Sequence, residues 1–228
     1  MLAVRKSEER GHVDLGWLHS RHTFSFGGYH DPRHMGVSAL RVINEDRVQP
    51  GAGFDTHGHR DMEIISFVRR GSIEHRDSMG NVERLPAGEF QLMSAGTGIT
   101  HSEYNPSSEE TLEFLQVWVL PAQRGLTPGY QQKRFDTEQA LTLIASPDAR
   151  EQSLQIHQDA CLYHVAAAAG RHVRMNLEPG RSAYVHVYDG EMTVNGQALL
   201  AGDGLTVRDE PAIEAAGPDG RALLFDLP

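Results

Sequence analysis

Apolar and polar residues alternate along the first half of the chain in short runs, and these runs predict strands. VSALRVI (37–43) precedes a polar turn candidate, Asn44-Glu45-Asp46. MEIISFV (62–68) ends shortly before Gly71, and the run Ser72 to Arg76 leads into Ser78-Met79-Gly80-Asn81. Phe90 to Met93 and LEFLQVWVL (112–120) complete the series. Short β-rich runs separated by Gly, Asn, Asp and Pro at near-regular spacing predict a sandwich or barrel. Residues 121–150 are less regular and are expected to connect two halves, with Thr137 to Leu143 as a candidate turn of helix.

The second half repeats the first in outline. FVRRGSIEHRDSMGNVERLPAGEFQLM (67–93) and VYDGEMTVNGQALLAGDGLTV (187–207) share one order of features. Each has an apolar strand, a glycine, a second strand, a Gly-containing turn, and Ala-Gly before another strand. Gly71 corresponds to Gly190, and Gly88 to Gly202. Two related barrels are inferred, spanning 1–135 and 136–228. At 228 residues each half can bury a core.

Charge and cysteine content narrow the function classes. A net charge of −10 disfavours direct contact with nucleic-acid phosphates. The single cysteine, Cys161, has no partner for an internal disulfide and is expected to be a buried small apolar residue. The first residues, MLAVRKSEERGHVDLGW, are charged and lack the apolar core of a signal peptide. No apolar run approaches the roughly 18 residues of a membrane span. A soluble, cytoplasmic protein is expected.

Two alternate-residue pairs carry the candidate chemistry. His57-Gly58-His59 alone is weak, because thirteen histidines in 228 residues make such a pair an ordinary chance event. His101-Ser102-Glu103 has the same spacing. Residues i and i+2 of a strand share a face, so each pair presents both side chains together. If the two strands are close, three imidazoles and a carboxylate converge. That donor set suits iron, nickel, copper, zinc or manganese, and the absence of thiolate disfavours a soft-metal site. Four protein ligands leave a position for water or substrate if five or six are taken up.

These residues lie within longer motifs. GAGFDTHGHRDMEIISFVRRG (51–71) resembles the first cupin motif, and GNVERLPAG (80–88) the start of the second. The chain then departs from the general cupin pattern, with Gln91 where a histidine ligand is expected. HTFSFGGYHDP (22–32) and SAGTGITHSEYNPS (94–107) instead resemble the pirin family, a branch of the cupin superfamily. The resemblance covers the whole chain and is closest over the first 135 residues. It implies an all-β bicupin, two double-stranded β-helix (jelly-roll) barrels, with the metal site in the first barrel (1–135) and none in the second (136–228). It implies His57, His59, His101 and Glu103 as ligands of one divalent transition metal. Iron(II) is expected first, with nickel, copper, zinc, manganese and cobalt as alternatives. Glu63, which a general cupin pattern would add, is not a ligand in pirins.

Aligned on the repeated glycines, the second barrel has Asn176 and Glu178 at the positions of His57 and His59, and Ala215 and Gly217 at those of His101 and Glu103. His186 is expected to be packed rather than ligating. His22 and His30 are candidates to line the pocket, as are Phe24, Phe26, Met62 and Met93.

The resemblance further implies a quercetin 2,3-dioxygenase, which opens the central ring of a flavonol with O2 and releases carbon monoxide. A flavonol 3-hydroxyl must lose its proton to react with oxygen, and coordination to a cation lowers the pKa of such a hydroxyl. Glu103 is the expected general base. The alternative is a metal-dependent, redox-sensing regulatory protein that binds a protein partner without turnover.

Overall fold

The computed structural model describes all residues, 1–228. It contains twenty-two strands, two short 3-10 turns and no α-helix. In chain order the strands are β1 (Leu2–Arg5), β2 (Gly11–Asp14), β3 (Leu18–His22), β4 (Leu40–Val48), β5 (Gly53–His59) and β6 (Glu63–Arg70). They continue with β7 (Ser72–Asp77), β8 (Val82–Pro86), β9 (Glu89–Ser94), β10 (Ile99–Tyr104), β11 (Leu112–Val119) and β12 (Gly129–Arg134). The second half holds β13 (Leu141–Ser146), β14 (Leu154–Gln155), β15 (Cys161–Ala166), β16 (His172–Asn176) and β17 (Ser182–Asp189). The last are β18 (Glu191–Val194), β19 (Gln197–Leu200), β20 (Gly204–Arg208), β21 (Ala212–Ala216) and β22 (Arg221–Leu227). No helix is long and apolar enough to cross a membrane.

The chain divides into two compact units, each a barrel of one seven-stranded and one four-stranded sheet. The first contains Gly11–Gly36 and Leu40–Phe135, with sheet orders β12-β9-β6-β11-β4-β3-β2 and β5-β10-β7-β8. The second contains Asp136–Pro228, Val37–Ala39 and Met1–Arg10, with orders β1-β20-β17-β22-β15-β13-β14 and β16-β21-β18-β19. The N-terminal residues fall with the second unit because β1 pairs antiparallel with β20, and Leu2 and Val4 pack on its core. In the first barrel the matching edge position is taken by β12, paired with β9.

The repeated glycines mark the same turns in both barrels. Gly71 and Gly190 follow β6 and β17 with φ of 76° and 62°, and Gly88 and Gly202 precede β9 and β20 with φ of 84° and 89°. A side chain is strained in that left-handed region, which is why both copies carry glycine there.

Three local expectations are corrected. Asn44-Glu45-Asp46 is the middle of β4, not a turn, because Asn44 and Asp46 point into the first barrel and are buried. Thr137 to Leu143 is not helical. Thr142 Oγ1 donates to the Asp136 carbonyl at 2.7 Å to close a turn, and β13 then pairs with β15. The connector also contains the full strand β12.

The second barrel has a continuous apolar core that includes Val173, Val185, Val187, Met192, Ile213 and Leu224. Each such side chain contributes about 1.5–3 kcal/mol when buried. The first barrel is built differently. Directly paired residues of an antiparallel ladder share a face, and one such row crosses its large sheet. His22 pairs with Asn44, Asn44 with Gln116, Gln116 with Ser66, Ser66 with Gln91, and Gln91 with Gln132. This polar belt separates two apolar clusters, one around Val48, Val68, Ile73 and Phe114, the other around Ile64, Met93 and Ile99.

Candidate metal centre

The small sheet of the first barrel brings its histidines together. β5 carries His57 and His59, β10 carries His101 and Glu103, and the ladder pairs His101 with His57. Ring centroids are 4.5 Å apart for His57 and His101, 4.8 Å for His57 and His59, and 4.9 Å for His59 and His101. The ligand atoms of these three residues lie within 4.8 Å of one another. A bulge between His101 and Glu103 sets Glu103 opposite Phe54. The β5 backbone lies so close to β10 there that a Cβ on Gly53 would overlap the Glu103 carbonyl.

Glu103 turns toward the polar belt. Gln116 Nε2 donates to its Oε2 at 3.0 Å, and Ser66 Oγ lies 3.4 Å from its Oε1. Its ligand atoms group with those of His75 and His101, again within 4.8 Å. Two three-residue clusters therefore share His101, one containing His57 and His59, the other His75 and Glu103.

The electrostatics suit a cation. Burial, then the neighbouring His57, His59 and His75, push His101 down to about 2. Burial and His57 lower His59 to about 4. These imidazoles are neutral at pH 7, as metal ligation requires. Both ring nitrogens of His101 are buried without a hydrogen-bond partner. Leaving such atoms unmet costs about 1–3 kcal/mol each, a cost that coordination removes. His57 Nδ1 lies 2.7 Å from the Asp55 carbonyl, which places its proton there and leaves Nε2 as the free donor. Burial, then the charge of Asp46, raise Glu103 to about 7 against the hydrogen bonds from Ser66 and Gln116. Asp46 is itself raised to about 7, by burial first and Glu45 second. The donor set and its unmet nitrogens fit a divalent transition metal.

Other expected residues take varied places. Phe26 packs edge-on against Trp118, whose ring packs against His59 at 4.9 Å. Trp118 Nε1 donates to Gln116 Oε1 at 3.2 Å, which leaves the Gln116 amide nitrogen directed at Glu103. Met62 and Met93 belong to the apolar cluster beside Trp118, and Phe24 is buried. His22 is a belt residue in contact with Phe26, whereas His30 is exposed. Gln91 is buried in the belt, and Glu63, on the opposite face of β6 from Ser66, accepts a hydrogen bond from Ser94. An open cleft of about 360 Å³ lined by Arg60, Asp61, Leu120, Pro121 and Arg124 lies at the strand ends just beyond His59 and Trp118.

His75, Asp77, Gln116, Ser66 and Trp118 were missed from sequence. His75-Arg76-Asp77 has the same alternate spacing as the two candidate pairs, and Ser66 and Gln116 are polar residues inside apolar runs. Either feature was a usable signal.

The second barrel has no equivalent cluster. Counted from Gly190 and Gly71, Val194 stands for His75, and it lies across from Ala215 as His75 lies across from Glu103. On the other side Ile213 pairs with Met175, where the first barrel pairs His101 with His57. The register thus puts Met175 and Leu177 in place of His57 and His59, one residue before the positions spacing alone selected, and Ile213 in place of His101. His186 is fully buried, and His164 Nε2 lies 2.7 Å from the Tyr188 hydroxyl.

Comparison with known proteins agrees with this organisation. Residues 3–119 match the family Pirin, and residues 143–227 match the quercetinase C-terminal cupin domain. The chain is 52% identical over 229 residues to a quercetin 2,3-dioxygenase of Escherichia coli, covering 100% of this chain and 99% of that protein. It is 42% identical over 232 residues to a putative quercetin 2,3-dioxygenase of Pasteurella multocida, covering 100% of both. Among solved structures it superposes with a TM-score of 0.97 on the bacterial pirin YhhW from Escherichia coli in complex with nickel(II), at 51% identity, covering 100% of this chain and 99% of that one.

Proposed function

The chain belongs to the pirin family of bicupin β-barrel proteins, and from that premise we propose that it is a metal-dependent dioxygenase that opens the central ring of quercetin-like flavonols with O2 and releases carbon monoxide. In this reading His57, His59, His101 and Glu103 hold one divalent ion, with iron(II) and nickel(II) the first candidates. Nickel is the ion in the structure of a relative. When bound, the cation acts as a Lewis acid that makes the flavonol 3-hydroxyl more acidic.

The protein's own groups do the rest. Glu103, a buried carboxylate grouped with His75 and His101, accepts the 3-hydroxyl proton. Gln116 and Ser66 hold that carboxyl in place, and Trp118 fixes the Gln116 amide. Phe26 and Trp118 supply flat apolar surface beside His59, suited to an aromatic substrate. The observation that carries this reading is His101, buried with two unmet nitrogens between two further imidazoles and a carboxylate.

The test is to load the protein anaerobically with iron(II), nickel(II) or copper(II) and add quercetin in air. Loss of flavonol absorbance with release of carbon monoxide is expected for at least one ion. No turnover with any of them overturns the enzymatic reading.

A further inference from the structure

His75 stands beside the four proposed ligands and has the preparation of a ligand itself. It lies on β7 directly across from Glu103 and is fully buried. Its Nε2 is 3.1 Å from Asp77 Oδ2. Asp77 is a saturated anion, accepting also from Asn81 Nδ2 and from the backbone N–H groups of Met79 and Asn81. Burial opposes its ionisation, but the donors from Asn81, His75 and Met79 outweigh burial and hold the carboxyl below its ordinary value.

A carboxylate only accepts, so the His75 proton resides on Nε2 and Nδ1 keeps a bare lone pair. Nδ1 is buried and makes no hydrogen bond. One nitrogen anchored to a carboxylate and the other bare is the arrangement in which proteins prepare histidine for a metal. The His75 ring centroid is 5.3 Å from that of His101. The ligand atoms of His75, His101 and Glu103 are as closely grouped as those of His57, His59 and His101.

We infer that the first barrel has a second, inner seat for a divalent transition metal, formed by His75, His101 and Glu103 and sharing His101 with the outer imidazole pair. The inference rests on the metal-binding reading of this barrel. Two imidazoles and a carboxylate suit first-row divalent ions. The shared imidazole and the repulsion between two dications held a few ångströms apart make the seats alternatives for one ion. In the outer seat the ion is held by His57, His59, His101 and Glu103. In the inner seat His75 takes the place of His57 and His59.

Cobalt(II) titration, followed by calorimetry and by the visible spectrum of the bound ion, tests this directly. The double variant His57→Ala/His59→Ala removes the outer seat. It is expected still to bind one cobalt(II) per chain, roughly 10- to 100-fold more weakly than wild type. Adding His75→Gln, which keeps a hydrogen bond to Asp77, is expected to weaken binding at least tenfold further. A double variant that binds no cobalt(II), or binds it equally well with His75→Gln, overturns the inner seat. Wild type that binds no cobalt(II) overturns instead the metal reading on which it rests. Thermal melting checks folding, and His57→Gln/His59→Gln carries the same titration if the alanine pair does not fold.

Discussion

The two barrels share a strand order and differ in what fills them. In each, a seven-stranded sheet packs on a four-stranded one, and corresponding turns carry corresponding glycines. The second barrel is closed with valine, leucine, isoleucine, methionine and alanine. The first gives up its middle layer to a row of His22, Asn44, Gln116, Ser66 and Gln91, facing His75, His101 and Glu103. Buried polar groups are tolerable only when they satisfy one another or a ligand. The belt meets part of that demand internally and leaves the His101 and His75 nitrogens unmet. The second barrel shows that the fold needs no such layer, so the first retains it for chemistry.

That contrast can be broken from either side. The largest effect is expected from Ala215→Asp, which puts a carboxylate at the second barrel's counterpart of Glu103, inside a cluster of buried apolar side chains. Urea denaturation should show a loss of roughly 3–5 kcal/mol. A near-neutral result would mean that the second interior already accommodates charge.

Next comes the pH response of the second barrel. Burial, then the Arg221 charge, lower His164 to about 4, with Glu138 opposing. The unfolded chain therefore binds this proton first as pH falls below the unperturbed value of about 6.5. The contribution of His164 to stability is complete above that pH and is lost as pH falls toward 4. The loss approaches roughly 3 kcal/mol. His164→Gln should remove this component from the stability–pH curve while the first barrel's own titrations remain. A variant curve parallel to wild type would contradict it.

A smaller effect belongs to the first barrel. Gln116→Leu deletes the donor to Glu103 and the acceptor for Trp118. Metal affinity, measured by competition with a chelating dye, should fall roughly 10- to 100-fold, about 1.4–2.7 kcal/mol. An unchanged affinity would show that the belt does not position the carboxylate.

The same contrast explains what was legible in the sequence. Strands with apolar residues on at least one face announced themselves, as β6, β9 and β11 did. β4 was cut short because Asn44 and Asp46, which point inward, resemble turn residues when the barrel interior is assumed to be apolar. β1 could not be assigned to the second barrel because its partner lies about 200 residues away, beyond any local pattern. At the candidate site, alternate spacing and a family motif single out His57, His59, His101 and Glu103, and the fold brings them onto neighbouring strands. His75 and Asp77 obey the same spacing but lie outside the motif, and their burial and pairing emerge only when β7 is set beside β10.

Metal binding is expected in the first barrel alone and is expected to depend on His101. Elemental analysis of wild type and His101→Ala, purified in parallel without added metal, tests it most directly. About one divalent transition-metal ion per chain in wild type and almost none in His101→Ala is the expected result. Equal metal content in the two proteins would contradict it.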